Sequence, residues 1–214
     1  MDCLLENSQA LLQAVLAEAR PRWLHVAPPC TFWCRIGRWT AHATAERWDT
    51  MREKARTHWC FALHLLSLQE ARDATGSLEQ PPTCASWQLG MTRDFLEAYP
   101  TWKLCILSCA YGMKNPGTGE PWENMQWFLS NASLAEMHRP CVCTVKHTHV
   151  QGTVKCGPRH GERCSTVAGE YMPAMCSALA TIVQRVARGQ RQPFCGRTQG
   201  VACMLCGGTQ SCRH

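Results

Sequence analysis

The stretch Trp23-Leu24-His25-Val26-Ala27-Pro28-Pro29-Cys30-Thr31-Phe32-Trp33-Cys34 decides how the chain is read. Trp23, Leu24 and Val26 have the bulk that a buried strand accommodates. Pro28 and Pro29 cannot extend a strand ladder, because neither has an N–H and both fix φ. The strand is therefore expected to span 23–27, with Cys30 where the chain leaves its carboxyl end. In open α/β sheets, ligands bind outside that edge. Two readings of Cys30 stand side by side here. It is a small apolar residue in a turn, or it is a thiol held ready for chemistry by two stiff prolines.

Outward from this stretch, helical and extended patterns alternate. Leu4, Leu11, Leu12, Val15, Leu16 and Ala19 predict a helix over 4–20, ended by Pro21. Residues 34–43 read as a loop whose Arg35, Arg38, Trp39 and His42 either touch nucleic acid or are simply solvated. Trp48, Met51, Ala55, Trp59, Ala62 and Leu66 recur at helical spacing and predict a helix over 44–72. His58 and His64 lie on or near it and read as ordinary helix residues. Ser77-Leu78-Glu79-Gln80 before Pro81-Pro82 repeats the strand-then-proline pattern, so the Glu79 carboxyl group is expected at the same sheet edge as Cys30. A helix over 85–99, a strand over 102–109 and a helix over 170–188 follow. Asn115-Pro116-Gly117-Thr118-Gly119 is a turn-rich loop, and no Gly-Lys-Ser/Thr follows to make it a phosphate-binding one. The segment 122–129 reads as a short amphipathic or strand-like piece without a definite assignment. The alternation predicts an α/β fold over residues 1–189: a partial Rossmann-like, mostly parallel sheet with flanking helices. Residues 190–214 form a Cys-, Gly- and Arg-rich tail expected to lack fixed structure.

The motifs also occur in a telling order. Pro28-Pro29-Cys30-Thr31 with Phe32, Gln69 near the end of a long helix, Glu79-x-Pro81, Ser86-Trp87, Cys109-x-Tyr111-Gly112 and a later Cys/His cluster follow one another over roughly residues 20–188. The set resembles the DNA cytosine-5 methyltransferases, in the form of the methyltransferase-like segment found in some retroelement polyproteins of dinoflagellates and fungi. The resemblance implies that the Cys30 thiolate adds to carbon 6 of a flipped-out cytosine, making carbon 5 nucleophilic toward the methyl group of S-adenosylmethionine. It implies that Glu79 holds N3 and the amino group of that base. Gln69 and Ser86 are lesser candidates. Two departures stand out: Trp33 occupies the usual Ser position, and Gln80-Pro81 replaces Asn-Val. The Gly-rich turn and the acidic residue that hold the donor in a complete enzyme are not recognisable before Trp23, so no cofactor-binding residue is assigned. The chain is expected to be a degenerate or truncated methyltransferase-like domain, inactive alone. The alternative is a non-catalytic, zinc-stabilised module that binds a protein or nucleic acid.

Cys141-x-Cys143-x₃-His147-x-His149 carries the second chemistry. Zinc takes four sulfur or nitrogen ligands. Side chains two apart on a strand point the same way, so Cys143, His147 and His149, with Cys109 from the preceding strand, are the expected ligand set; scattered packing is the other reading. Cys203-x₂-Cys206, flanked by Cys195 and Cys212, reads as a small zinc knuckle or as part of the unstructured tail.

Composition bounds the rest. The 214 residues suffice for one domain with a full core; 45% are hydrophobic and 18% charged, which excludes a disordered chain. The net charge of +6 permits nucleic acid as a partner without requiring it. Asp2 and Glu6 interrupt a secretory leader, and no apolar run is long enough to span a membrane. Sixteen cysteines are then expected inside the cell, nuclear or cytoplasmic, as core residues, ligands or catalysts rather than a disulfide scaffold.

Overall fold

A computed structural model describes residues 6–34, 45–99, 101–150 and 152–190. The loop residues Arg35, Arg38, Trp39 and His42, and the tail with Cys195, Cys203, Cys206 and Cys212, lie outside the described residues. Helix α1 spans Glu6–Ala19, and strand β1 spans Trp23–Val26. The long helix α2 spans Ala45–Ala71, and β2 spans Thr75–Gln80. A 3-10 turn, Ala85–Gln88, leads into α3, Gly90–Ala98, and then β3, Trp102–Leu107. The expected helix over 85–99 is thus broken at Leu89, whose backbone is extended. Downstream lie β4 (Trp122–Glu123), β5 (Met125–Ser130), β6 (Thr148–His149), α4 (Cys164–Ala168) and α5 (Pro173–Ala187).

The main sheet has the order β1-β2-β5-β3. β1 and β2 are parallel, Val26 opposite Leu78, whereas β5 runs antiparallel to both β2 and β3. The chain is therefore mixed α/β, and the expectation of a mostly parallel sheet is corrected. The cause is the unassigned segment. Met125–Ser130 enters between β2 and β3, reached from β3 through residues 108–124 without a crossover helix, as an antiparallel neighbour allows. β1, β2 and β3 still point the same way, so their carboxyl ends share one edge.

Alternation along the strands sends side chains to two cores. Leu78 and Leu129 meet Trp59, Ala62, Leu63 and Leu66 of α2 on one face. Phe128 and Ile106 meet Met175, Ala178, Ile182 and Val186 of α5 on the other. α2 lies so close to β2 that a Cβ on Gly76 would sit 2.6 Å from Leu66 Cδ2, which explains a glycine inside the strand. Asn131 closes the far end of this contact, its Oδ1 accepting from Gly76 N at 2.9 Å. A smaller core of Met113, Trp122, Val154, Cys164 and Val167 supports the β4–β6 pair.

Phe128, with no exposed surface, bridges β5 and the α5 face. Phe128→Ala is expected to lose about 3–5 kcal/mol in urea unfolding, whereas Val15→Ala, on the exposed side of α1, should change stability by no more than about 0.5 kcal/mol. Equal effects of the two changes would contradict the two-faced core.

Candidate functional site: thiols at one edge of the sheet

The turn after β1 is built by the two prolines and by contacts across to β2. Gln80 Nε2 donates to the Pro28 carbonyl, pinning the proline turn to the neighbouring strand. Trp33 N and Cys34 N both donate to the Cys30 carbonyl, at 2.9 and 3.1 Å, winding residues 30–34 into a single turn. The next strand ends the same way: Cys84 N donates to the Pro81 carbonyl, and Ala85 N reaches across to the Trp33 carbonyl at 3.0 Å. The two strand-end turns are zipped together, bringing the thiols of Cys34 and Cys84 into contact with Cys30 packed beside them. Cys34 Sγ and Cys84 Sγ lie 2.9 Å apart. Hydrogen bonds from Cys34 and Cys84 hold the Cys30 thiol well below the ordinary thiol range, while sharing that hydrogen bond with Cys30 pushes the other two up.

Glu79 follows Leu78, the register partner of Val26, so Cys30 and Glu79 both stand at the carboxyl end of the parallel pair. Burial raises the Glu79 carboxyl from 4.5 to about 7, and the Cys30 charge adds to this. Ser77 and Glu79 point to the α5 face, where His25 bridges two hydroxyls. Its Nδ1 is 2.8 Å from Ser77 Oγ, and its Nε2 is 2.9 Å from Tyr171 Oη. Burial lowers the imidazole to about 4. The ring is therefore neutral near pH 7, with one nitrogen donating and the other accepting. Burial also raises the Tyr171 phenol, and the nearby Glu79 charge raises it further. The edge thus combines a thiol biased toward its anion, a carboxyl group that titrates near neutrality and an uncharged His–Tyr pair.

The lesser candidates fall elsewhere. Gln69 is buried at the amino end of the sheet, where its Nε2 donates to the Pro21 and Thr75 carbonyls, at 3.1 and 3.3 Å. It ties α2 to the starts of β1 and β2 and is remote from Cys30 by the length of a strand. Ser86 is fully buried beside the second turn, with its hydroxyl unpartnered. Trp33 is turned into the α2 core, with Arg52 stacked 5.8 Å from its ring centre.

The carboxyl end of β3 carries the other cluster. Cys109 sits in the 3-10 turn Ser108–Tyr111. The Tyr111 hydroxyl donates to the Met137 carbonyl at 2.5 Å, which fixes this turn against the start of the irregular loop 138–147. Cys109, Cys141, Cys143 and His147 place one ligand atom each within 4.8 Å of one another. Cys109 Sγ is 3.4 Å from Cys141 Sγ and 3.1 Å from His147 Nε2. These distances approach the edges, about 3.6–3.8 Å, of a tetrahedron built on 2.3 Å Zn–S and 2.0–2.1 Å Zn–N bonds. Burial raises the Cys109 thiol to about 12; a divalent cation at the centre reverses that tendency and deprotonates the thiols. Three sulfurs and one imidazole suit zinc in a closed, structural site.

The ligand set differs from the sequence expectation at one residue. Cys141 takes the place of His149. Only Thr148–His149 is extended, as β6, and His149 Nδ1 faces Glu123 Oε2 of β4 at 2.9 Å. The two-residue alternation used to choose His149 does not run through the irregular loop 141–147. Cys34 and Cys84 also went unrecognised beside Cys30. The signal for Cys84 was present: Pro81-Pro82-Thr83-Cys84 repeats the Pro-Pro-then-Cys arrangement that closes β1. Comparison with protein-family models, with curated proteins and with solved structures finds no match. Among the described residues no helix is long and apolar enough to cross a membrane.

Protein purified without chelator is expected to hold about one zinc per chain. His149→Ala should keep it, and the double change Cys143→Ser, His147→Ala should release it; full retention in the double variant would remove this site. A second expectation concerns pH. Unfolded Glu79 loses its proton near 4.5 and folded Glu79 near 7, so its contribution to stability falls as pH rises through that interval. His25 acts oppositely: it costs stability as pH falls from 6.5 toward 4, because only the unfolded ring takes the proton. Subtracting the unfolding free energies of wild type and Glu79→Gln at each pH isolates the carboxyl term. The variant should gain on wild type between pH 4.5 and 7, and a flat difference would refute the assignment.

Proposed function

We propose that the chain is a degenerate, methyltransferase-like domain that retains the base-facing half of a cytosine-5 site and does not complete methyl transfer by itself. One observation carries this reading: Cys30 and the buried Glu79 share the carboxyl edge of two adjacent parallel strands and feel each other's charge. A thiol that favours its anion suits addition to carbon 6 of cytosine. A carboxyl group raised to about 7 still carries its proton in part of the population near neutrality, which suits donation to a ring nitrogen, such as N3 of the base. The parallel β1–β2 pair is the part of the sheet that matches a Rossmann-like parent; the internal antiparallel β5 departs from it. The ordered motifs from Pro28 to Gly112 support a retroelement origin for such a domain.

The donor side of the reading rests on what surrounds β1. It is an edge strand among the described residues, and no Gly-rich strand-to-helix turn precedes it there. Gly117 and Gly119 lie after β3, too late to cradle a donor at β1. A half that binds S-adenosylmethionine would have to add at the open edge of β1. Nucleic acid is the partner this chemistry requires, and the net charge of +6 favours weak, salt-dependent binding.

The second reading, a zinc-stabilised interaction module, draws on the Cys109, Cys141, Cys143 and His147 cluster. The two differ over Cys30, which has a chemical task only in the first.

Calorimetry with S-adenosylmethionine is expected to show no saturable binding, and a duplex containing cytosine should remain unmethylated. Micromolar donor binding with Cys30-dependent transfer would instead make the chain a complete enzyme. The retained half has its own test. Thiol addition to carbon 6 makes carbon 5 exchange its hydrogen with solvent, with no donor needed. An oligonucleotide deuterated at cytosine carbon 5 should lose label slowly with wild type and not with Cys30→Ala. Identical, background exchange with both proteins would leave only the interaction-module reading.

A further inference from the structure

The contact between Cys34 and Cys84 has no role in base chemistry, and neither residue belongs to the Cys109 cluster. Their sulfurs are 2.9 Å apart although the residues are 50 apart in sequence. That is shorter than the sulfur–sulfur edge of about 3.8 Å in a thiolate-bound zinc. It lies midway between that edge and the roughly 2.05 Å of a covalent S–S bond. Cys84 is 2% exposed, whereas Cys30 and Cys34 are half-buried, so a small reagent entering from solvent meets Cys30 and Cys34 first. Cys30 lies one turn before Cys34, its carbonyl accepting from Cys34 N at 3.1 Å, and packs against the same core as Cys84. Three thiols on two zipped turns, two of them in contact and one sealed in the core, form a relay rather than a lone reactive cysteine.

We propose that Cys30, Cys34 and Cys84 form a hydroperoxide-responsive thiol site, in which Cys30 is oxidised first and a Cys34–Cys84 disulfide is the final product. The Cys30 thiolate attacks one oxygen of the peroxide. The S–O bond forms, the O–O bond breaks, and the departing hydroxide takes a proton to become water. Cys30 is then a sulfenic acid. The Cys34 thiol attacks that sulfur, the S–O bond breaks, and a second water leaves with the Cys34 proton, giving a Cys30–Cys34 disulfide. Cys84 then attacks the Cys34 sulfur and loses its proton to solvent, while Cys30 leaves as a thiolate. Exchange favours departure of the thiol with the lowest pKa, and hydrogen bonds from its neighbours make Cys30 that thiol. In sum two thiols are oxidised, one hydroperoxide is reduced, and Cys30 is regenerated. The bridge covalently fastens the turn after β1 to the turn after β2. This site does not rest on the methyltransferase-like reading: it needs a peroxide and three thiols, and neither a base nor Glu79.

The test uses the full chain, reduced and then exposed to hydrogen peroxide near stoichiometry. Free thiols are blocked with iodoacetamide, and the digest is mapped by mass spectrometry. The expected product is a Cys34–Cys84 disulfide with Cys30 alkylated. Cys30→Ser should slow its appearance by about tenfold or more, since a neutral thiol must then attack the peroxide. Cys84→Ser should stop the relay at Cys30–Cys34. Wild type treated in the presence of a cyclic 1,3-dione should carry the sulfenic-acid adduct on Cys30, and this readout requires no variant to fold. Disulfides formed mainly through Cys60 or Cys176, an unchanged rate in Cys30→Ser, or an adduct on Cys34 rather than Cys30 would each overturn the proposal. So would a bound metal that shields all three thiols from iodoacetamide.

Discussion

Strand β2 is buried along its whole length, and everything else takes its position from that burial. A strand covered on both faces and flanked on both sides has no freedom of register: a slip by one residue would send Leu78 toward α5 and Glu79 into the Trp59 core. The fixed register delivers Glu79 to the α5 face and Leu78 to the α2 face. It also brings Gln80 opposite the proline turn, where its amide holds Pro28. The thiol edge is therefore a consequence of how β2 packs. Its polar residues are tolerated because most find partners: Ser77 with His25, and the Gly76 backbone with Asn131 and Ser130.

Much of this was legible in the sequence, and the exceptions share a physical cause. β1 and its turn could be read because proline forbids a ladder regardless of context. The long helix could be read because Trp48, Met51, Ala55 and Trp59 keep helical spacing over several turns. Met125–Ser130 could not. One face of this strand is buried and the other half-buried, and Met-Gln-Trp-Phe-Leu-Ser, with apolar residues on both, shows no clean alternation and is as apolar as a short helix. Its insertion between β2 and β3 converted the expected mostly parallel sheet into a mixed one. Leu89 was hidden for another reason: a one-residue break between a 3-10 turn and a helix barely disturbs the apolar spacing.

The site followed the same division. Cys30 and Glu79 were found because each follows a strand stopped by proline, a local signal. The contact of Cys84 with Cys34 is made by tertiary packing across 50 residues, which leaves only the repeated Pro-Pro-then-Cys as a trace. The exchange of His149 for Cys141 has the reverse origin. A local rule, side chains two apart on one face, was extended over residues that are irregular until Thr148. The loop bends instead to suit Cys109, anchored by the Tyr111 hydroxyl on Met137.

Two groups of thiols at one sheet edge could compete for the same cation, and their surroundings separate them. The Cys109 group includes an imidazole and spaces its donors near tetrahedral edges. The Cys30 group offers no nitrogen, and Cys84 is locked in the α2 core with Trp33 and Trp59. Its sulfurs are closer than a shared cation permits. Three strands pointing one way place both groups at that edge, but β1 and β3 are the outermost members of the sheet, with β2 and β5 between them. Strand spacing of about 4.8 Å sets the ends of β1 and β3 roughly 14 Å apart. A metal that satisfies the Cys109 group leaves Cys30 as a free thiol. That is the condition under which its chemistry, toward a base or toward a peroxide, becomes available.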